Sequence, residues 1–547
     1  MPITEILERN ASLYSDEECL AEFSPDLTDQ KESSWKELNL VEINYYAKYR
    51  RESMTWRYFN IQANQCANLL ISKGVKKGDK VAILMMNCID WLPIYFGVLK
   101  TGALAVPLNF RYSADEIKYC LDLSDSGTLI FGPEFVERVC SIQNNLPKIN
   151  QFIFVGNPKE QPQFAENYHK LLTQYSEDSP NIPLTDDDNA AIYFSSGTTG
   201  WPKAILHSHR SLVFSCEVEQ AHHGQNRKDV FLCIPPLYHT GAKMHWFGSL
   251  LAGSRAVLLR SANPKWIIQS AAQERATIVW LLVPWAQDIL DSIESGEINL
   301  NDYDLSNWRL MHIGAQPVPP SLIKRWKSYF PNHDYDTNYG LSESIGPGAV
   351  HLGIENLHKV GAIGKAGYGW KTKIINSEGQ EAAKGEVGEL AVCGPGVMKC
   401  YYNDPKATAE VLKGEWLYTG DMAKEDEDGF IYLVDRKKDV IITGGENIYP
   451  VQIEDFLRGH EKIKDVAVIG LVDHRLGEIA AAIIEIKPGQ SCTEEEINEF
   501  CTDLPRYKRP RKIIFDKVPR NPTGKIEKPK LREKYAGGSV VKTQIIM

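Results

Sequence analysis

Short apolar runs alternate with longer amphipathic segments through most of this chain. Lys80-Val81-Ala82-Ile83-Leu84-Met85, Val230-Phe231-Leu232-Cys233-Ile234, Ala256-Val257-Leu258-Leu259, Thr277-Ile278-Val279-Trp280-Leu281-Leu282 and Leu310-Met311-His312-Ile313 each suit one buried strand. Tyr58 to Lys73 and Pro264 to Glu274 carry helical periodicity instead. Such alternation predicts parallel sheets flanked by helices. From about Lys371 the texture changes: Glu386 to Val392 and Phe430 to Val434 read as short strands between tight turns, a smaller β-rich unit. After Asp435-Arg436-Lys437-Lys438-Asp439 about a hundred residues of mixed pattern remain, enough for a small core of their own. At 547 residues the chain is too long for one core. The expected class is therefore α/β, with a boundary at the charged stretch separating residues 1–435 from 436–547.

Charge and cysteine usage narrow the class of function. A net charge of −10 argues against nucleic acid as the main partner, because phosphate backbones demand a surplus of Lys and Arg. No apolar stretch is long enough to span a bilayer. Met1-Pro2-Ile3-Thr4-Glu5 lacks the basic and apolar regions of a secretory signal, and the final residues match no lipidation signal. The eleven cysteines are scattered without a C-x-x-C pair, as reduced thiols in a cytoplasmic protein would be. Cys233 and Cys393 sit in apolar runs and read as small buried hydrophobes. The expectation is a cytoplasmic, multidomain enzyme.

Between two apolar runs lies Ser195-Ser196-Gly197-Thr198-Thr199-Gly200, followed by Trp201-Pro202-Lys203. Flexible glycines let backbone N–H groups close on an anion, hydroxyls add donors, and Lys203 supplies a positive charge. The pattern reads as strand, loop, strand, a cradle for a nucleoside triphosphate. Its spacing differs from the common P-loop, and a strand follows it where a helix would be usual. By composition alone it would be an ordinary surface loop.

Further clusters give it company. Asp336-Thr337-Asn338-Tyr339-Gly340-Leu341-Ser342-Glu343 offers a ring to stack on a purine, a hydroxyl, and a carboxylate able to hold Mg2+ beside phosphate. Trp416-Leu417-Tyr418-Thr419-Gly420-Asp421 places an acid after a tight turn, where it could accept ribose hydroxyls. Arg436 heads the charged boundary, Gly444-Gly445-Glu446-Asn447 follows, and Pro519 to Gly524 turns into Lys525. Each alone reads as a turn or a solvated charge. Their order along one chain does not.

In that order the motifs resemble the adenylate-forming superfamily: acyl-CoA synthetases, luciferases and peptide-synthetase adenylation domains. The resemblance runs from about Thr55 to Lys530. It implies a large N-terminal portion of two α/β subdomains plus a distorted β-barrel, and a small mobile α+β C-terminal domain. By the same resemblance, Ser195, Thr198, Thr199, Gly200 and Lys203 belong to the loop around the β- and γ-phosphates. Gly314-Ala315-Gln316-Pro317 lines the adenine and acyl pocket. Tyr339 stacks on adenine, Ser342 contacts the α-phosphate and Glu343 holds Mg2+. Asp421 and Arg436 bind the ribose, and Lys438 is the hinge. Lys525 serves adenylation, while Gly444 and Gly445 form the turn along the pantetheine tunnel.

The implied reaction is attack of a carboxylate on the α-phosphorus of MgATP, then transfer of the acyl group to a thiol, that of coenzyme A. His239, in Pro235-Pro236-Leu237-Tyr238-His239-Thr240-Gly241, matches the gate between acyl and thiol sites. Trp246, Val283-Pro284-Trp285 and Gly314 are expected along the acyl pocket. No acidic residue stands ready for a substrate ammonium, so an apolar fatty, branched or aromatic acid is favoured over an amino acid. The expected partners are that acid, ATP and coenzyme A, with a homodimer allowed. Three departures stand out: Ser342 for the usual threonine, Cys400 for a glycine, and Trp201 within the loop. Loading of a separate carrier protein is the alternative. A luciferase-type oxygenase has no independent support here. A catalytically dead adenylate-binding protein is disfavoured by Lys203, Glu343, Asp421, Arg436 and Lys525 standing together.

Overall fold

The computed structural model describes residues 1–25, 49–195, 201–260, 262–314, 318–443, 446–520 and 526–536. Two largely parallel sheets organise the first four hundred or so of these. Each apolar run read as a strand is one, with ends within a residue of the expected ones. Ile278–Leu282 shows why: all five residues are buried, so the run has no polar face to offer water.

In the first sheet Lys80–Leu84, Leu104–Pro107, Thr128–Phe131, Gln151–Phe154 and Glu166–Asn167 run parallel, and Asn189–Ser195 joins beside Leu104–Pro107. Lys203–Ser208 and Cys400–Tyr401 then finish that edge antiparallel. The second sheet has Asp334–Asp336, Leu310–Gly314, Ile278–Leu282, Val230–Cys233, Arg255–Leu259 and Glu18–Pro25 in parallel order, closed by antiparallel Tyr49–Thr55. Helices Trp56–Ser72, Trp91–Lys100, His209–His223 and Thr240–Ala252 share one apolar core with both sheets. Their ends are signalled locally. Thr55 and Ser208 cap by accepting from backbone N–H groups, and Gly224 and Gly253 stop their helices at φ 55° and 70°.

Trp246 departs from its expected place on an acyl-pocket wall. It is 1% exposed, with its ring 6.0 Å from Phe59 and 5.9 Å from Phe96, and is a packing residue between helices. No described helix is long and apolar enough to cross a membrane.

The β-rich unit is two small antiparallel sheets. One holds Asn338–Leu341, Gly346–His351 and Lys365–Ala366. The other holds Lys371–Ile375, Gly388–Cys393, Trp416–Glu425 and Leu412–Lys413, with Ile431–Arg436 paired to Trp416–Glu425. A bridge between Gly364 and Ile431 ties them together. Beyond Asp439 comes a further sheet of Ile441–Thr443, Glu446–Ile448, Ile463–Asp473, Gly477–Ile486 and Lys512–Phe515. Its two apolar clusters draw only on residues from Ile441 onward. Polar ties link it back: Asp435 accepts from Val451 N at 2.9 Å, and Arg532 pairs with Asp439 at 2.5 Å.

Candidate functional site

The antiparallel pairing that sets Ser195 opposite Lys203 makes the Ser/Thr/Gly segment the connection at one end of the first sheet. Across from it, the one-turn helix Ser342–Ser344 presents Glu343. One Glu343 oxygen, Oε1, accepts from the Tyr401 hydroxyl at 2.8 Å and lies 3.5 Å from Ser195 Oγ. The Lys203 ammonium sits 4.5 Å from the centre of the Tyr401 ring, a cation–π approach. Burial, and then the neighbouring Glu343 charge, hold the Tyr401 phenol well above its ordinary range, so it stays a donor. Among the described residues no Lys or Arg pairs with Glu343. A half-buried carboxylate whose described hydrogen-bond partners are hydroxyl oxygens is a donor set for a hard, oxygen-seeking cation, so Glu343 fits Mg2+.

Ser342 is fixed on both sides. Its carbonyl accepts from His207 Nε2 at 2.8 Å, and its hydroxyl lies 3.3 Å from Thr240 Oγ1. Burial pushes His207 down to about 4, so its ring is neutral at ordinary pH. The proton then rests on Nε2, and Nδ1 lies 3.3 Å from Ser211 Oγ, which donates to the Ser208 carbonyl at 2.9 Å. His239 caps helix Thr240–Ala252, its Nδ1 accepting from Gly241 N at 3.1 Å. The half-buried ring is therefore anchored through one nitrogen.

On the other side of Ser342, Asp421 and Arg436 are directly opposed in neighbouring strands. Arg436 Nε lies 3.2 Å from Asp421 Oδ1, and the Tyr339 hydroxyl donates to Oδ2 at 2.6 Å. The tight turn expected before Asp421 is instead a bulge: Gly420, at φ 73°, lies within strand Trp416–Glu425 where its pairing with Gly388–Cys393 shifts register. Tyr339 and Asp421 are both under a tenth exposed. Gly314 ends strand Leu310–Gly314, where an added Cβ would come no closer than 3.8 Å to any described residue beyond its chain neighbours. Packing does not demand glycine there, and its lack of a side chain leaves the strand end open.

These observations gather Ser195, Lys203, Ser342 and Glu343 on one side and Tyr339, Asp421 and Arg436 on the other. Thr198, Thr199, Gly200, Ala315, Gly444, Gly445 and Lys525 lie outside the described residues. Lys438 is exposed in the turn after Arg436. Cys400 takes an edge-strand position opposite Leu206, with no positive φ, so that turn does not depend on glycine. Trp201 is exposed and leans on Tyr119, ring centres 4.6 Å apart. Sequence reasoning passed over Tyr401, His207 and Thr240. Tyr401 stood beside Cys400 in a segment already singled out, and Thr240 directly follows His239.

Comparison with known proteins agrees. The family profile described as AMP-binding enzyme matches residues 37–402, and that of the AMP-binding enzyme C-terminal domain matches residues 452–525. The long-chain-fatty-acid–CoA ligase FadD13 of Mycobacterium tuberculosis is 33% identical over 493 residues, 88% of this chain and 93% of that protein. A feruloyl-CoA synthase of Amycolatopsis is 31% identical over 487 residues, 88% of this chain and 94% of that one. Among solved structures, a Mycobacterium tuberculosis fatty acyl CoA synthetase superposes with a TM-score of 0.74 at 30% identity, covering 98% of both chains. The anthranilate CoA ligase AuaEII, in complex with anthranoyl-AMP, does so with a TM-score of 0.84 at 25% identity, covering 98% of this chain and 97% of its own. The chain belongs to the AMP-binding enzymes, as an adenylate-forming acyl-CoA synthetase.

Proposed function

We propose that this enzyme activates an apolar carboxylic acid, fatty, branched or aromatic, as its acyl-adenylate and passes the acyl group to coenzyme A. The carrying observation is the Glu343 cluster. A carboxylate tied by Tyr401 and Ser195, without a described cation on it, faces the end of the strand that carries Lys203. A carboxylate nucleophile repels a triphosphate, so the site must supply positive charge and hold the attack in line. Mg2+ held by Glu343 would neutralise phosphate charge. Lys203 is placed for the outer phosphates, and the Ser342 hydroxyl, braced by Thr240, for the α-phosphate. Asp421, with Arg436 beside it, suits a ribose diol. In this reading Lys525 meets the charge that develops at the α-phosphorus. Rotation about Lys438, at a boundary between 1–435 and 436–547, would then bring the Gly444-Gly445 turn in for thioester formation.

An aromatic lining supports the acid class. Trp280 Nε1 lies 3.9 Å from where a Cβ on Gly314 would sit, and half-buried Trp285 opens the helix Val283–Glu294 close by in the chain. Relatives named for fatty, feruloyl and anthranilate substrates span the same range. The test is incubation with MgATP and a panel of acids, with and without coenzyme A, reading pyrophosphate, AMP and acyl-CoA. Acyl-CoA from one acid class is the expected result. Pyrophosphate without thioester would move the acceptor to a carrier protein.

A further inference from the structure

Behind the wall that carries Gly314 lies a chamber the reaction above does not use. His222 and His223 end helix His209–His223, His245 lies on helix Thr240–Ala252, His312 on strand Leu310–Gly314, and His351 ends strand Gly346–His351. His223, His245 and His312 are buried, and each offers a ring nitrogen within 4.8 Å of the others'. His223 Nε2 and His312 Nδ1 are 3.0 Å apart. Two carboxylates share this interior, both wholly buried. Glu219 Oε2 lies 2.7 Å from His245 Nδ1 and 3.5 Å from His223 Nδ1. Asp336 Oδ2 lies 2.6 Å from His351 Nε2 and 3.9 Å from His223 Nε2.

Two features of this chamber call for a ligand. First, apart from the His223 Nε2–His312 Nδ1 hydrogen bond and the backbone donors on Asp336 Oδ1, its polar atoms come close without aligning. Both Glu219 oxygens, Asp336 Oδ2, both His245 nitrogens, His223 Nδ1, His312 Nε2 and His351 Nε2 lack a hydrogen bond of ordinary geometry. Second, among the described residues no Lys or Arg reaches either carboxylate, whose ion-pair partners are histidines. Lys243, on the same helix as His245, turns onto the rings of Tyr193 and Tyr95, at 4.1 and 4.8 Å. Buried carboxylates without a cation are costly, and a dication would answer both of them at once.

We propose that His223, His245 and His312 bind one divalent transition-metal ion of the zinc class. Imidazole nitrogens suit zinc and its neighbours, whereas Mg2+ and Ca2+ take oxygen, so this site is chemically distinct from Glu343. Bonds of about 2.0–2.1 Å would set the ligand nitrogens roughly 3.3 Å apart; His223 Nε2 and His312 Nδ1 now lie 3.0 Å apart, and one nitrogen from each of the three rings lies within 4.8 Å of the others'. Glu219 faces the Nδ1 side of both His223 and His245, which leaves their Nε2 atoms to ligate. A carboxylate behind a ligating histidine is the usual support for such a ring. The ion would cross-brace two helices and a strand, and with them Thr240 and Gly314.

The test reads metal, not turnover, so its outcome is separate from that of the ligase assay. Protein purified without a metal-affinity tag is loaded with Zn2+, passed through chelating resin and analysed by mass spectrometry. About one equivalent per chain should remain. Co2+ in its place should give the visible absorption of a four-coordinate, imidazole-rich site, lost on adding Zn2+. His245→Ala and His312→Ala should lose the ion, and Glu219→Gln should weaken it by about 10–100-fold. Full retention in both alanine variants would put the ion elsewhere and overturn the assignment. If those variants do not fold, the unmodified protein decides: no retained zinc and no Co2+ band would equally overturn it.

Discussion

The Glu343 cluster and the histidine chamber both hold carboxylates that no described Lys or Arg pairs with, and treat them in opposite ways. Around Glu343 the carboxylate, Ser195 and Lys203 are half-buried: the carboxylate takes a hydroxyl hydrogen bond, and Lys203 lies over a ring. Such groups can be completed by water or by an arriving phosphate. Around Glu219 and Asp336 there is no access to water, and close approaches of 2.6 and 2.7 Å fall short of hydrogen-bond alignment. The difference teaches that an open polar cluster is matched to something that comes and goes. A sealed one must be matched to something that stays.

Burial also acts on histidines outside the chamber, one of them beside Ser342, and its response to acid is the largest effect we expect. Burial pushes His207, His209 and His333 each down to about 4 from 6.5. Above pH 6.5 neither folded nor unfolded chain binds these protons. Below it the unfolded chain takes them up and the folded chain does not, so stability falls until about pH 4. The slope is about 1.4 kcal/mol per pH unit for each histidine, or about 4 for the three. Urea midpoints between about pH 7 and 5, at fixed ionic strength, measure it. Flat midpoints would show that these rings are more open than their burial indicates.

The open cluster makes the contrary demand: its chemistry should hang on groups that arrive. Lys525→Ala should cut pyrophosphate release by about 10²–10³-fold, the usual cost of removing one donor from a developing charge. Transfer from a supplied acyl-adenylate to coenzyme A should survive. Equal loss in both half-reactions, followed in single turnovers, would remove Lys525 from the adenylation role.

What could be read in advance divides along the same line. The phosphate-side motifs are local: Ser195 to Lys203 and Tyr339 to Glu343 announce themselves within a few residues, as do the apolar strands. The chamber is assembled from five elements far apart in the chain, and each of its histidines taken singly is an ordinary core residue. Tyr401 was hidden for a related reason, since its strand meets Lys203–Ser208 only through long-range pairing. Cys400 was expected to disturb a turn, but extended edge backbone accepts any side chain. Trp246 shows the reverse error. An aromatic residue one turn beyond a site motif can serve the packing of its helix instead.

Two smaller effects probe how tightly the open cluster is organised. Asp421→Asn keeps the shape of the side chain but removes the charge facing Arg436 and the acceptor of the Tyr339 hydroxyl. Hydrogen bonds to charged groups contribute about 1.5–3 kcal/mol, so the KM for ATP should rise by about 10–100-fold, with kcat less affected. An unchanged KM would mean that Asp421 only positions Tyr339.

Tyr401→Phe is the smallest change and the most discriminating. It keeps the ring under Lys203 and deletes only the hydroxyl that donates to Glu343 at 2.8 Å. Glu343 then has Ser195 Oγ, 3.5 Å away, as its remaining described donor, and must recruit water or Mg2+ more strongly. A net hydrogen bond contributes about 0.5–1.5 kcal/mol, so adenylation should slow by roughly 2–12-fold. The loss should show in the Mg2+ dependence before it shows in the acid dependence. If Tyr401→Phe alters the KM for the acid and leaves the Mg2+ dependence untouched, Tyr401 faces the wrong substrate, and Glu343 is not the hard-cation ligand its neighbours suggest. A modest rate loss that extra Mg2+ restores would fix the carboxylate's role and mark the cluster as one that its ligands complete.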